Sequence, residues 1–183
     1  SKASSLDASD RKVLGSSMPT WYGGWNNTVS YKNFDLNVFF RFSGGNKIMN
    51  ASRQSALFNM DFSNNGTEIL GRWISPEQPG DGMTPKIGYG DASSLFNDGY
   101  TDSHFVESGN YLKLSTLALG YTLPKAVVSK LNMTKIRFYV QGQNLLTITG
   151  YSGLDPETNS RLGVDWNGMP QQRSFTFGAN ITF

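Results

Sequence analysis

Apolar and polar positions alternate with period two in five stretches of the chain, and such alternation predicts strands that present one apolar and one polar face. In Arg173 to Phe183, the residues Phe175, Phe177, Ala179, Ile181 and Phe183 share one parity, and Ser174, Thr176, Gly178, Asn180 and Thr182 share the other. Phe34, Leu36, Val38, Phe40 and Phe42 form the cleanest face, set against Asp35, Asn37, Phe39 and Arg41. Ile136, Phe138, Val140, Leu146 and Ile148 oppose Lys135, Arg137, Gln141 and Gln143. Trp25, Val29 and Tyr31 define a fourth face, which Asn27 interrupts. In the fifth, Leu112 and Leu114 are in phase, and Leu117, Leu119, Tyr121 and Leu123 follow in the opposite phase. The switch falls at Ser115-Thr116 and predicts a β-bulge, because one extra residue restores the facing. The predicted strands are about 21–31, 34–42, 105–123, 135–148 and 173–183.

Lys32-Asn33 is a two-residue connection and forces antiparallel pairing. Pro124 ends the third strand, and Lys125 to Leu131 is expected to form one or two helical turns. Long connections at about 44–103 and 149–171 fall on one side of an up-and-down sheet, and the short ones fall on the other. This asymmetry matches outer-membrane barrels, with short periplasmic turns and long external loops. No apolar face carries a Lys or Arg, either of which would cost roughly 2–4 kcal/mol at the bilayer midplane. The expected fold is therefore all-β: about five C-terminal antiparallel strands of a large transmembrane barrel. Five strands cannot close a barrel whose smallest members have about eight, so residues 1–183 are expected to be one segment of it.

Composition narrows this further. Charged residues make up 16% of the 183, aromatics 13%, and the net charge is +2 without a long basic run, which gives no support for nucleic-acid binding. The absence of cysteine removes disulfides and thiolate metal sites. No run of 18 apolar residues exists for a membrane-spanning helix. The first ten residues, SKASSLDASD, are polar and lack the apolar run of a secretory leader, which contradicts a secreted barrel unless the start of the chain is missing.

Several motifs are more specific. DRKVLGSSMPTWYGGWNNTVSYKNFDLNVFF (Asp10–Phe40), GRWISPEQPGD (Gly71–Asp81), FVESGNYLKLSTLALGYTLPK (Phe105–Lys125), IRFYVQGQNLLTITGYSGLDPE (Ile136–Glu157) and MPQQRSFTFGANITF (Met169–Phe183) follow one another in order. Together they resemble the C-terminal part of the SusC/RagA group of TonB-dependent outer-membrane transporters of Bacteroidota. The resemblance implies a multi-pass barrel of roughly 22 strands in a Gram-negative outer membrane, filled by a plug. It also implies a SusD-like surface lipoprotein as lid, a TonB complex as energy source, and import of oligosaccharides or peptides. The plug and the TonB-contacting segment lie outside this chain. The partners implied are the remainder of the barrel with its plug, the lipoprotein, TonB and outer-membrane lipid. The alternatives are a siderophore-type receptor without a lid, or a non-transport barrel such as an adhesin or anchored enzyme.

Nothing in the sequence predicts catalysis or a cofactor. His104, the sole histidine, has no nucleophile within a recognisable motif, and Gly150-Tyr151-Ser152-Gly153 misses the spacing of a nucleophile elbow. Asp155, Glu157 and Asp165 offer oxygen ligands but fall short of a cation's coordination set, so no metal site is predicted. Aromatic rings in the loops could stack on sugar faces or meet the lid; Trp73, Tyr89, Tyr100 and Trp166 are the candidates. Phe175, Phe177 and Phe183 resemble the signal by which assembly machinery recognises barrel clients. Residues 50–62 are a candidate short helix, only loosely amphipathic.

Overall fold

Strand register decides which residues share a face. A computed structural model describes residues 11–54, 64–84, 86, 103–158 and 162–183. Its strands are β1 (Trp21–Tyr31), β2 (Phe34–Gly44), β3 (Lys47–Asn50), β4 (Val106–Ser108), β5 (Tyr111–Thr122), β6 (Lys135–Thr149), β7 (Val164–Asp165) and β8 (Ser174–Thr182). A helical turn, α1 (Lys125–Val128), continues as a 3-10 turn, Ser129–Leu131.

The chain divides into two units, a wall and a loop unit. The wall, Pro19–Gly45, Gly109–Gly150 and Pro170–Phe183, holds an antiparallel sheet in the order β1-β2-β5-β6-β8. Its register builds apolar rows across the strands: Tyr31–Phe34–Tyr121–Phe138–Ala179, then Val29–Leu36–Leu119–Val140–Phe177. Nearer the long-loop end, Trp25–Phe40–Leu114–Leu146 continue the same face. This face carries no charged residue and is open; Phe177 is 79% exposed and Trp25 56%. Phe34 to Phe42 covers ~27 Å along β2, or ~20 Å of bilayer at ~40° tilt, close to the ~25 Å apolar band of a membrane barrel. Within the described residues β1 pairs only with β2 and β8 only with β6, leaving two open sheet edges.

Two irregularities keep the rows in phase. Between β2 and β5 the register shifts at Ser115, which has no counterpart between Phe39 and Phe40. Between β5 and β6, Ser115 faces two residues, Asn144 and Leu145. Asn144 adopts φ 52°, the left-handed conformation that Asn tolerates better than most residues, and its side-chain amide donates to the Gln172 carbonyl (3.1 Å). At the opposite end Lys32 takes φ 54° at the first position of the β1–β2 turn, the sign a two-residue hairpin requires.

The loop unit, Ser1–Met18, Asn46–Ser108 and Tyr151–Met169, contains a second sheet in which β3 pairs antiparallel with β4 and parallel with β7. The stretch expected as one strand over 105–123 is therefore interrupted. Phe105 closes a 3-10 turn as a fully buried core residue, with Met49 and Ile69 against it, and β4 pairs within the loop unit. The chain breaks at Gly109-Asn110, where the Asn110 side chain accepts the Gly45 N–H (2.8 Å) and its carbonyl accepts the Thr149 hydroxyl (2.7 Å). Of the candidate helix over 50–62, a helical turn is present at 51–54; residues 55–63 lie outside the described residues.

Candidate functional site

The polar face of the wall is built on glycines. Gly120 on β5 stands between Asp35 on β2 and Arg137 on β6, and a Cβ there would collide with both side chains. Its missing side chain lets Arg137 reach across a whole strand: Nε donates to Asp35 Oδ1 (2.9 Å) and Nη2 to Oδ2 (2.5 Å). The guanidinium also lies 5.3 Å from the Tyr139 ring centroid, and that ring in turn covers Gly178 on β8. This part of the polar face thus carries an ion pair beside an aromatic ring. The next row is neutral and polar, with the Asn37 amide donating to Asn26 Oδ1 (2.8 Å) and Thr28 Oγ1 (2.9 Å). Towards the long-loop end Arg41 stands opposite Lys113, which is 1% exposed. Such a face is suited to a hydrated or protein-filled interior and unsuited to lipid.

In the loop unit, Arg53 organises three segments. It donates through Nε to both Glu68 oxygens (3.0 Å each) and through Nη1 to Glu107 Oε1 (3.1 Å), and its charge lies 5.8 Å from the Phe105 ring. Burial pulls the Arg53 pKa down, but the hydrogen bonds and charges of Glu68 and Glu107 outweigh it, and the net shift is upward. Glu107 further accepts the Ser152 N–H (2.8 Å) and hydroxyl (2.7 Å), tying the segment after β6 to β4. The buried Tyr151 hydroxyl donates to Asp165 Oδ2 (2.6 Å). Burial first, then the Asp165 hydrogen bond and the Asp165 and Glu107 charges, push the Tyr151 phenol well above its ordinary value.

The segment GRWISPEQPGDGMT is held by its own backbone. Asp81 N–H donates to the Gly71 carbonyl (2.8 Å), Trp73 N–H to Thr84 (2.9 Å) and Ile74 N–H to Gln78 (3.1 Å). Gly80, at φ +70°, is pressed against the Gly71 and Arg72 carbonyls where no side chain fits. The Asp81 carboxylate accepts the Thr84 and Met83 N–H groups (2.7 and 2.8 Å), which hold its pKa below the usual carboxylate range.

Trp73 is 37% exposed with the Lys86 ammonium 5.8 Å from its ring; Trp166 is 71% exposed on another segment of the same unit. Tyr89 and Tyr100 lie outside the described residues. Phe175, Phe177 and Phe183 project from the apolar face of β8 and its end, all well exposed. Asp155 Oδ1 accepts the Glu157 N–H (3.0 Å), and Asp165 accepts the Gly168 N–H (3.2 Å) besides Tyr151, so donors already occupy these carboxylates. Among the described residues no three His, Asp or Glu side chains gather as metal ligands would. His104 Nε2 lies 3.3 Å from Arg53 Nη2, within the Arg53 network and not beside a nucleophile. Sequence alone did not reveal the Arg53–Glu107 network, because its members are brought together only by the β3–β4 pairing.

Taken together, a lipid-compatible face, a polar face and two open edges define a sector of an outer-membrane-type β-barrel. The chain is similar to one segment of the TonB-dependent receptors of the SusC/RagA type. Two TonB-dependent receptors of Formosa agariphila are 32% and 31% identical over 97% of the chain, which spans 18% of each. The TonB-dependent receptor SusC of Bacteroides thetaiotaomicron is 25% identical over 97% of the chain and 16% of its own length. Among solved structures, the RagAB peptide importer superimposes with a TM-score of 0.79 in its 'closed-closed' state and 0.76 in its 'open-open' state. Identities are 26% and 25%, covering 94% of this chain and 18% of the RagAB chain in each case. No family model matches the chain. The chain thus spans under a fifth of the length of these relatives.

Proposed function

We propose that these residues form one sector of the wall, together with external loops, of a TonB-dependent importer in a Gram-negative outer membrane. The reading rests on one observation above the others: five strands side by side present an uncharged, exposed apolar face and a polar face opposite. The two open edges are completed by the remaining barrel strands, and the polar face lines a lumen occupied by the plug. A SusD-like lipoprotein closes the long-loop side, and TonB acts through the part of the protein beyond these residues. The cargo is an oligosaccharide or a peptide, bound at the outer face before a TonB-driven plug rearrangement opens a path. Trp73 and Trp166 contact cargo or lid, with Tyr89 and Tyr100 as further loop candidates, and Phe175, Phe177 and Phe183 mark the barrel for assembly. The protein is a carrier and not an enzyme.

The test uses the full-length gene in its own bacterium. The protein is expected in the outer-membrane fraction as a heat-modifiable band, and its disruption is expected to abolish uptake of labelled oligosaccharides or labelled peptides. Recovery in the soluble fraction, or undiminished uptake of both cargo classes, contradicts the proposal.

A further inference from the structure

The connection between β5 and β6 carries features that a mere turn does not need. Its α1 segment packs against β6, and Val128 (2% exposed) and Ile136 (6%) are the buried apolar side chains of the wall among the described residues. Ile136 has the parity of Phe138 and Val140, so a buried residue of the apolar face stands at the sheet end beside this connection. Asn132, at φ 57°, ends the following 3-10 turn in the left-handed conformation and returns the chain to β6. The turn then leaves Val127 (44% exposed) and Leu131 (54%) uncovered. Lys125 and Lys130 flank them, both exposed.

The neighbouring hairpin, whose Asn33 carbonyl accepts the Thr122 N–H at the end of β5 (2.8 Å), adds a third cation at the same end of the sheet. Lys32 is exposed, and its ammonium lies 5.3 Å from the ring of Tyr31, an apolar-face residue. Tyr31 leads the row in which Phe34 and Tyr121 pack with ring centroids 4.7 Å apart, an aromatic band where the sheet ends. None of these three lysines makes an ion pair among the described residues, and Asp35, the nearby carboxylate, is taken by Arg137. Lys135 has the parity of the polar face and is left out of this group. Three uncompensated ammonium groups, two uncovered aliphatic side chains and an aromatic band therefore coincide at the short-turn edge of the lipid-compatible face. A basic amphipathic element of this kind lies in a membrane interface, with its apolar side chains at the acyl boundary and its ammonium groups at phosphates.

We propose that Lys32, Lys125 and Lys130, with Val127 and Leu131, form a binding site for the headgroup of an anionic phospholipid in the leaflet at the short-turn end of the wall. This inference rests on the barrel reading above. Lysine, a compact point charge, suits a phosphodiester that approaches from several angles. Nearby phosphate attracts each lysine with about 1 kcal/mol, or roughly fivefold in occupancy.

Full-length receptor, extracted with its native lipids into polymer-bounded discs, is assayed for the ratio of phosphatidylglycerol to phosphatidylethanolamine against bulk membrane. The wild type is expected to be enriched in phosphatidylglycerol, and the K32Q/K125Q/K130Q variant to lose that enrichment by roughly fivefold or more while keeping its heat-modifiable band. V127S/L131S is expected to reduce it with all charges in place. Independently of any variant, photoactivatable phosphatidylglycerol in reconstituted wild-type protein is expected to label residues 125–131. Unchanged enrichment in a folded triple variant, or labelling confined to other segments, overturns the site. Displacement of the lipid by millimolar inorganic phosphate also overturns it, in favour of a soluble-anion site. Loss of the barrel band in the wild type itself would instead strike at the barrel reading.

Discussion

At the residue scale the wall depends on what Gly120 lacks. The Asp35–Arg137 pair crosses β5 because nothing stands above that glycine, and a Cβ placed there would meet the flexible ends of those two side chains. Gly120→Ala is therefore expected to displace the pair and leave the strand in place. The loss should be about 1 kcal/mol, the range of a bidentate, partly exposed ion pair. Arg137→Ala should cost a similar amount, and the double variant no more than either single one, since both remove one interaction. The midpoint of heat modification of the full-length barrel measures this; additive losses would show that Gly120 acts by another route. Tyr151→Phe is expected to be more damaging locally, because Asp165, 3% exposed, loses its phenolic donor. A penalty of about 1–3 kcal/mol should appear as faster amide exchange across residues 162–169.

At the element scale, side-chain parity made the wall legible. Faces of β2, β6 and β8 follow directly from alternation, and the parity switch in β5 revealed the Ser115 bulge. The irregularity at Asn144-Leu145 left no such trace, because two inserted residues restore the parity and Gly142 and Leu146 stay on one face. Strands β3 and β7, with four and two residues, are too short for any period to register. Joining β4 to β5 was the natural error of a pattern that cannot see Asn110 bonding to Gly45 across the fold. The two faces make a paired prediction. Val38→Lys puts a charge on the lipid-compatible face and should cost roughly 2–4 kcal/mol, depleting assembled barrel in membranes, whereas Asn37→Lys next to it should assemble nearly normally. The loop unit carries its own pH signature. Tyr151 has a raised pKa in the folded state, so its contribution is complete below the unfolded value of about 10 and is lost as pH rises beyond it. Exchange over residues 151–158 and 162–169 should therefore accelerate above about pH 10, and Tyr151→Phe should remove that step.

At the scale of the whole molecule, one division of labour accounts for both units. The wall is regular, with register and bulges arranged to keep apolar and polar side chains on opposite faces. The loop unit is held by ion pairs and hydrogen bonds of Arg53, Glu107 and Tyr151 around a small core at Phe105. Under the proposed function cargo specificity falls to such loops, because loops vary without disturbing the strands that carry them. Both roles require the wall to face lipid on one side and water on the other. The most direct test places single cysteines at successive positions 34–42 of β2 in a cysteine-free full-length protein, a background that this chain, without cysteine, already favours. Spin labels there, in native outer membranes, report collision with oxygen, which partitions into lipid, and with a water-soluble nickel chelate. Oxygen contact is expected to peak at residues 34, 36, 38, 40 and 42, with the chelate out of phase at 35, 37, 39 and 41 wherever the plug leaves water. High chelate contact at both parities, or oxygen contact without a period of two, would contradict a wall that separates lipid from water.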